Sequence, residues 1–174
     1  MDYKKLLFIT TSALLMTGCV STSAPTTHNE FMKEVDQATG FTKATLHKTN
    51  TDVNVNYATA LSNIRKQVRY CIPDKSVEYG VVGSMMPNTT VTTYKTSVNR
   101  VSSRKTQVTF RAHDSNMLMQ PDDGFIIFAA DITKVGAHKT HIKAASGFTV
   151  KNLHEAIIGW SKGSKSCYGI AGKS

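Results

Sequence analysis

Carboxylates are scarce in this chain: 12 aspartates and glutamates face 21 lysines and arginines, a net charge of +9 over 174 residues. The closest carboxylate set, Asp114, Asp122 and Asp123, clusters at a turn, where aspartate is favoured for backbone reasons. No apolar run reaches the roughly 20 residues that a membrane-spanning helix needs. There is no internal repeat and no run of five like charges. HExxH and CxxC spacings are absent, and the six histidines are scattered. His28, His47 and His154 stand alone, and His113-Asp114 lies beside a loop. His138 and His141 are three apart, a spacing that sends them to opposite faces of a strand. Zinc takes three or four ligands in one place, so neither a metal nor a cofactor is expected.

What is present begins at the N-terminus. Lys4 and Lys5 precede an apolar stretch, Leu6 to Met16, broken only by Thr10, Thr11 and Ser12. This stretch is too short to span a bilayer but suits a cleaved export signal. Met16-Thr17-Gly18-Cys19 follows. It resembles the bacterial lipobox, with methionine where leucine is commonest. The resemblance covers about the first twenty residues and implies that residues 1–18 are a signal peptide. Cys19 would then be the first mature residue, diacylated on its thiol and usually acylated on its amine. Several acyl chains hold stably, since each buried methylene adds roughly 0.8 kcal/mol. Aspartate after the lipidated cysteine usually retains a Gram-negative lipoprotein in the inner membrane. Val20 and Ser21 lack that signal, so the resemblance favours the inner leaflet of the outer membrane, facing the periplasm. Residues 19–29, rich in Ser and Thr, read as a flexible tether, and residues 30–174 as one small α+β domain.

With Cys19 committed to lipid, Cys71 and Cys167 remain as an even pair in an oxidising compartment. They are expected to form a disulfide. Tyr57, Leu61, Ile64, Val68 and Cys71 share one helical face, so a helix is predicted over about Asn56–Tyr70, capped by Asn56 and ended by Pro73. A shorter helix is placed at Glu30–Gln37. Strands are predicted at Val77–Val82, Thr90–Val101, Lys105–Ala112, Gly124–Ile132 and Ala137–Ala144. In the fourth, Phe125, Ile127 and Ala129 face one way and Ile126, Phe128 and Ala130 the other. A last helix, Val150–Lys162, is capped by Thr149 or by an Asn152/Glu155 box, and Gly159 within it allows close packing. The fold expected is an antiparallel sheet of about four to five strands with two helices packed on one face, in the order helix, strands, helix. Both cysteines fall just past helix ends. A catalytic cysteine would instead open a helix, where the dipole lowers its pKa, so an enzyme is not expected.

The expected role is a non-catalytic lipoprotein binding another envelope component, protein or polymer. The alternative is a basic module for an anionic glycan or lipid such as peptidoglycan or lipopolysaccharide; a hydrolase with an unfamiliar site ranks third. Export excludes nucleic acid as partner. The basic clusters are Arg65-Lys66 with Arg69, and Arg100 with Arg104-Lys105; a solvated surface that serves solubility is the simpler explanation of them. Met117, Leu118 and Met119 form an adaptable apolar loop that either meets a partner or fills the core.

Overall fold

The computed structural model describes residues 24–82, 86–118, 120–147 and 150–168, with the main chain alone at 41, 42, 75–82 and 86–90. The expected signal peptide, Cys19, Met119 and the Thr149 cap lie outside the described residues. In chain order the elements are α1 (His28–Gln37), α2 (Gly40–Ala44), β1 (Leu46–Val53), α3 (Tyr57–Cys71), β2 (Lys75–Val82), β3 (Met86–Arg100), β4 (Lys105–Asp114), β5 (Phe125–Lys134), β6 (Thr140–Gly147) and α4 (Asn152–Ser161). The strands form one antiparallel sheet in the order β1-β6-β5-β4-β3-β2.

The α+β class and the pair of helices on one face are as the sequence implies. Amphipathic α3 turns Leu61, Ile64, Val68 and Cys71 inward, and α4 turns Leu153, Ala156, Ile157 and Trp160 inward. Both stripes close on Val108, Phe110, Phe128, Ala130, Ile132 and Ile142. Phe110 and Phe128 stack there with ring centroids 5.2 Å apart. Asn56 caps α3 by accepting from the Thr59 amide at 2.9 Å, which satisfies one of the helix's orphan donors. Cys71 and Cys167, both buried, are joined by a disulfide that fastens the segment after α4 to the end of α3.

Three features depart from the expectation. The sheet has a sixth strand, β1, pairing with β6 along the edge. The register of β5 shifts at a bulge, where Phe110 pairs with Phe128 but Arg111 with Ile126. The extra residue reverses the side-chain alternation, so Ile126 joins Ala129 on one face, while Phe128 and Ala130 take the other. Finally, α4 begins after Lys151, with no side-chain cap bond, in place of the Asn152/Glu155 box.

The opposite face of the sheet carries α1, whose Phe31, Met32 and Val35 cover Ile126, Ala129 and Ala145. The helix starts at His28, inside the expected tether, because Thr27 and Glu30 form a capping box. His28 Nε2–H donates to Asp131 at 3.1 Å, and its Nδ1 meets the Thr109 hydroxyl at 2.7 Å. Lys105 Nζ reaches the other Asp131 oxygen at 2.9 Å. Burial raises the Asp131 carboxyl, but hydrogen bonds from His28 and Lys105 outweigh it and hold the group below its ordinary value. Asn29 accepts from Gln107, and the Thr26 carbonyl from Arg111. Order therefore reaches back at least to Thr26, so the span free to act as a tether is shorter than residues 19–29.

Gly159 lets the Tyr168 ring lie on α4: a Cβ there would overlap the Tyr168 hydroxyl. Gly159→Ala is expected to destabilise by about 1–2 kcal/mol through overpacking, although alanine favours helix by about 1 kcal/mol. The same change in a Tyr168→Ala background is expected to be neutral or stabilising. Denaturant midpoints of the four proteins in this cycle check the claim.

Candidate basic groove

The exposed face of α3 has no acidic residue along its whole length. Ala58, Ser62, Arg65 and Arg69 recur at spacings of four, three and four, which aligns them on one side, with Lys66 and Tyr70 beside them. Arg65 and Arg69 are like charges one turn apart, an arrangement that costs an isolated helix roughly 0.2–0.5 kcal/mol. Across from this face stands the β3–β4 turn, closed by Val101 and Ser102 amides donating to the Lys105 carbonyl. The segment after α4 contributes Lys165. Together these surfaces enclose an open groove of about 1110 Å³. Its lining includes Arg65, Lys66, Arg69, Arg100 and Lys165, with Tyr57, Ala58, Leu61, Ser62, Gln67, Tyr70 and Ser103, and among the described residues no carboxylate.

The ion pairs among the described residues lie elsewhere. Asp36 takes Lys143 and Lys48, Asp52 takes Lys139 and His141, Asp123 takes Lys95, and Asp131 takes Lys105 and His28. Among the described residues none of the five groove cations is in an ion pair; Arg100 donates from Nε to the Ser102 carbonyl. A surface that only needed solubility would intersperse the two signs. Here five positive charges line the two walls of one concavity, which raises the local concentration of anions.

Of the two basic clusters noted in the sequence, Arg65-Lys66-Arg69 and Arg100 meet in this groove. Lys105 is engaged by Asp131 on the far face. Lys165 carried no sequence signal, because only the chain's return after α4 brings it here.

The loop after β4 is braced by Gln120, whose side chain accepts from the Asp114 amide and donates to the Asp114 and Met117 carbonyls. It presents Met117 and Leu118, 49% and 89% exposed. Neither fills the core.

Several other residues able to do chemistry are occupied. Cys71 and Cys167 are bridged, so neither offers a thiolate. Among the described residues no three His, Cys, Asp or Glu side chains gather as a metal site; His141 bonds Asp52 at 2.7 Å, and His138 lies in the turn before β6. Two hydrolase-like spacings occur in the chain. Gly159-Trp160-Ser161-Lys162-Gly163 has GxSxG form, but it ends a helix where a nucleophile elbow links a strand to one. Ser161 is fully buried there and donates to the Ile158 carbonyl at 2.6 Å. Ser102-Ser103-Arg104-Lys105 has SxxK form, but the Lys105 amine is held by Asp131.

Buried His154 lies between Thr49 and Ser146. Ser146 Oγ donates to the Gly147 carbonyl, so it accepts from His154 Nε2–H, leaving Nδ1 to accept from Thr49. Desolvation, with the nearby charge of His47, lowers the His154 pKa to about 4. The imidazole is a neutral strut, and the Ser146 proton is directed away from it.

No helix among the described residues is long and apolar enough to cross a membrane. No family model and no curated protein matches the chain. A crystal structure of a hypothetical protein from Helicobacter pylori aligns at 8% identity over 68% of this chain and 82% of the other, with a TM-score of 0.34. A likeness that slight carries no argument about function.

Proposed function

We propose that the chain is a non-catalytic lipoprotein, anchored through acyl chains on Cys19 to the periplasmic leaflet of the outer membrane, whose domain binds an anionic envelope component in the α3 groove. One observation carries the binding reading: among the described residues, five cations and no carboxylate line a groove of about 1110 Å³. The lipobox-like Met16-Thr17-Gly18-Cys19 supports the anchor. The buried disulfide supports folding in an oxidising compartment. Bridged cysteines and a Ser161 turned into its own helix support a role without catalysis.

Fluorescent polyglutamate serves as a probe of the groove. Arg65→Gln/Arg69→Gln is expected to weaken its binding by about tenfold or more, and raising salt should do the same to wild type. Both arginines are exposed, so the variant keeps the wild-type denaturant midpoint. Equal affinity of the two proteins at low salt counts against the groove. For the anchor, Cys19→Ala is expected to abolish acylation, read as the loss of mass and of detergent-phase partitioning.

A second reading places a protein partner on the exposed Met117–Leu118 tip. Leu118→Asp is expected to lose that partner in crosslinked pull-downs while leaving polyglutamate binding unchanged.

A further inference from the structure

We propose that the groove receives the carboxylated glycan of the cell wall, held on the side of the domain turned away from the anchoring membrane. This rests on the reading above, that the chain is lipid-anchored and that the groove takes anions.

Size argues against a small anion. The groove exceeds the roughly 300–1,000 Å³ typical of sites for drug-sized ligands. It follows α3 from Ser62 to Arg69, a rise of about 10 Å at about 1.5 Å per residue. Its charges are spread over both walls, Arg65, Lys66 and Arg69 on the helix and Arg100 and Lys165 opposite. A single phosphate would call for convergence on one point. A polymer bearing a carboxylate on each repeating unit fits the spread, and guanidinium forks match carboxylates two bonds at a time.

Direction argues against the anchoring bilayer. The chain reaches the domain on the α1 face, with the Thr26 carbonyl on Arg111, His28 on Thr109 and Asn29 on Gln107. These β4 residues alternate with Val108 and Phe110, which point to α3 and α4. The attachment and the groove thus lie on opposite faces of the sheet. They also lie toward opposite ends: Arg100 pairs with Thr106, which is about 16 Å along β4 from Arg111 at roughly 3.3 Å per residue. From Cys19 to Thr26 the chain spans at most about 25 Å fully extended. An anchor attached diagonally across the domain holds the groove toward the periplasm, where the wall lies, and away from the head groups beneath.

The test uses the lipidated protein reconstituted in neutral phosphatidylcholine vesicles and mixed with isolated peptidoglycan sacculi or with phosphatidylglycerol vesicles. Protein-bearing vesicles are expected to sediment with sacculi. Capture should fall about tenfold or more in Arg65→Gln/Arg69→Gln, on raising salt from about 0.05 to about 0.5 M, and when the sacculus carboxyls are amidated. Capture by phosphatidylglycerol as strong as by sacculi identifies lipid as the occupant and overturns the proposal. Undiminished capture by amidated sacculi overturns it too. If sacculi fail while polyglutamate still binds, the wall glycan is wrong and the anionic groove stands; if both fail, the groove reading falls with it. Failure to reconstitute in vesicles at all removes the anchor, and with it the directional argument.

Discussion

Replacing Cys71 and Cys167 together by alanine is expected to lower the unfolding free energy by about 4–5 kcal/mol, the largest effect of any change considered. The bridge closes a loop of 96 residues. In the chain-entropy model a loop of roughly that length removes about 4.7 kcal/mol of unfolded-state freedom. Alanine is the appropriate replacement because both sulfurs are buried against apolar neighbours and a serine hydroxyl would need a partner. For a domain of this size the loss corresponds to a drop in Tm of roughly 10–20 °C. Chemical denaturation of wild type and variant checks it, and wild-type unfolding under strong reductant should approach the variant's. A double variant within about 1 kcal/mol of wild type would mean that the bridge contributes little beyond packing.

Lowering the pH from about 7.5 to about 4 is expected to cost roughly 3 kcal/mol through His154 alone. The group's folded pKa, about 4, lies below its ordinary value of 6.5. The unfolded chain therefore binds the proton first, and unfolding is favoured as pH falls. Stability is whole above about 6.5 and declines between that pH and about 4; the 2.5-unit gap is worth about 3 kcal/mol at 1.36 kcal/mol per unit. Asp131 acts lower, since its carboxyl is held below 3.8 and its contribution is lost only as pH falls through that folded value. The two effects therefore separate. His154→Gln, whose amide can still donate to Ser146 and accept from Thr49, is expected to be less stable at pH 7.5 but nearly flat from 6.5 to 4.5. An unchanged slope in that variant would assign the acid sensitivity to other groups.

The sequence made some of this molecule legible and left the rest to tertiary structure. Periodic apolar residues announced α3 and α4, and the cysteines, Cys71 at the end of α3 and Cys167 after α4, announced the bridge that joins those ends. Strand β1 lacks a sequence signal because Leu46–Val53 reads LHKTNTDV, with apolar residues only at its ends; backbone pairing with β6 holds it along the edge, with Val53 alone of its side chains fully buried in the core. The β5 faces were misassigned because one bulged residue reverses the alternation and leaves no local signature. Thr27 and Glu30 did carry the capping-box spacing that starts α1, a signal that could have shortened the expected tether. In the groove, the helical cluster was visible as composition, but its meeting with Arg100 and Lys165 depends on contacts across the fold. Equally hidden was the pairing of carboxylates with other lysines, which leaves these five cations out of every ion pair among the described residues.

The most direct measurement is zero-length carbodiimide crosslinking of the mature protein to polyglutamate, with the modified lysines located by mass spectrometry. Carbodiimide joins a carboxylate to an amine only in contact, so it reports where the anion sits. Lys66 and Lys165 are expected to carry the crosslinks, with loss of both at high salt. Crosslinks concentrated on Lys48, Lys139 or Lys143, or none above an amidated-polymer control, would contradict the assignment of the α3 groove as the binding site.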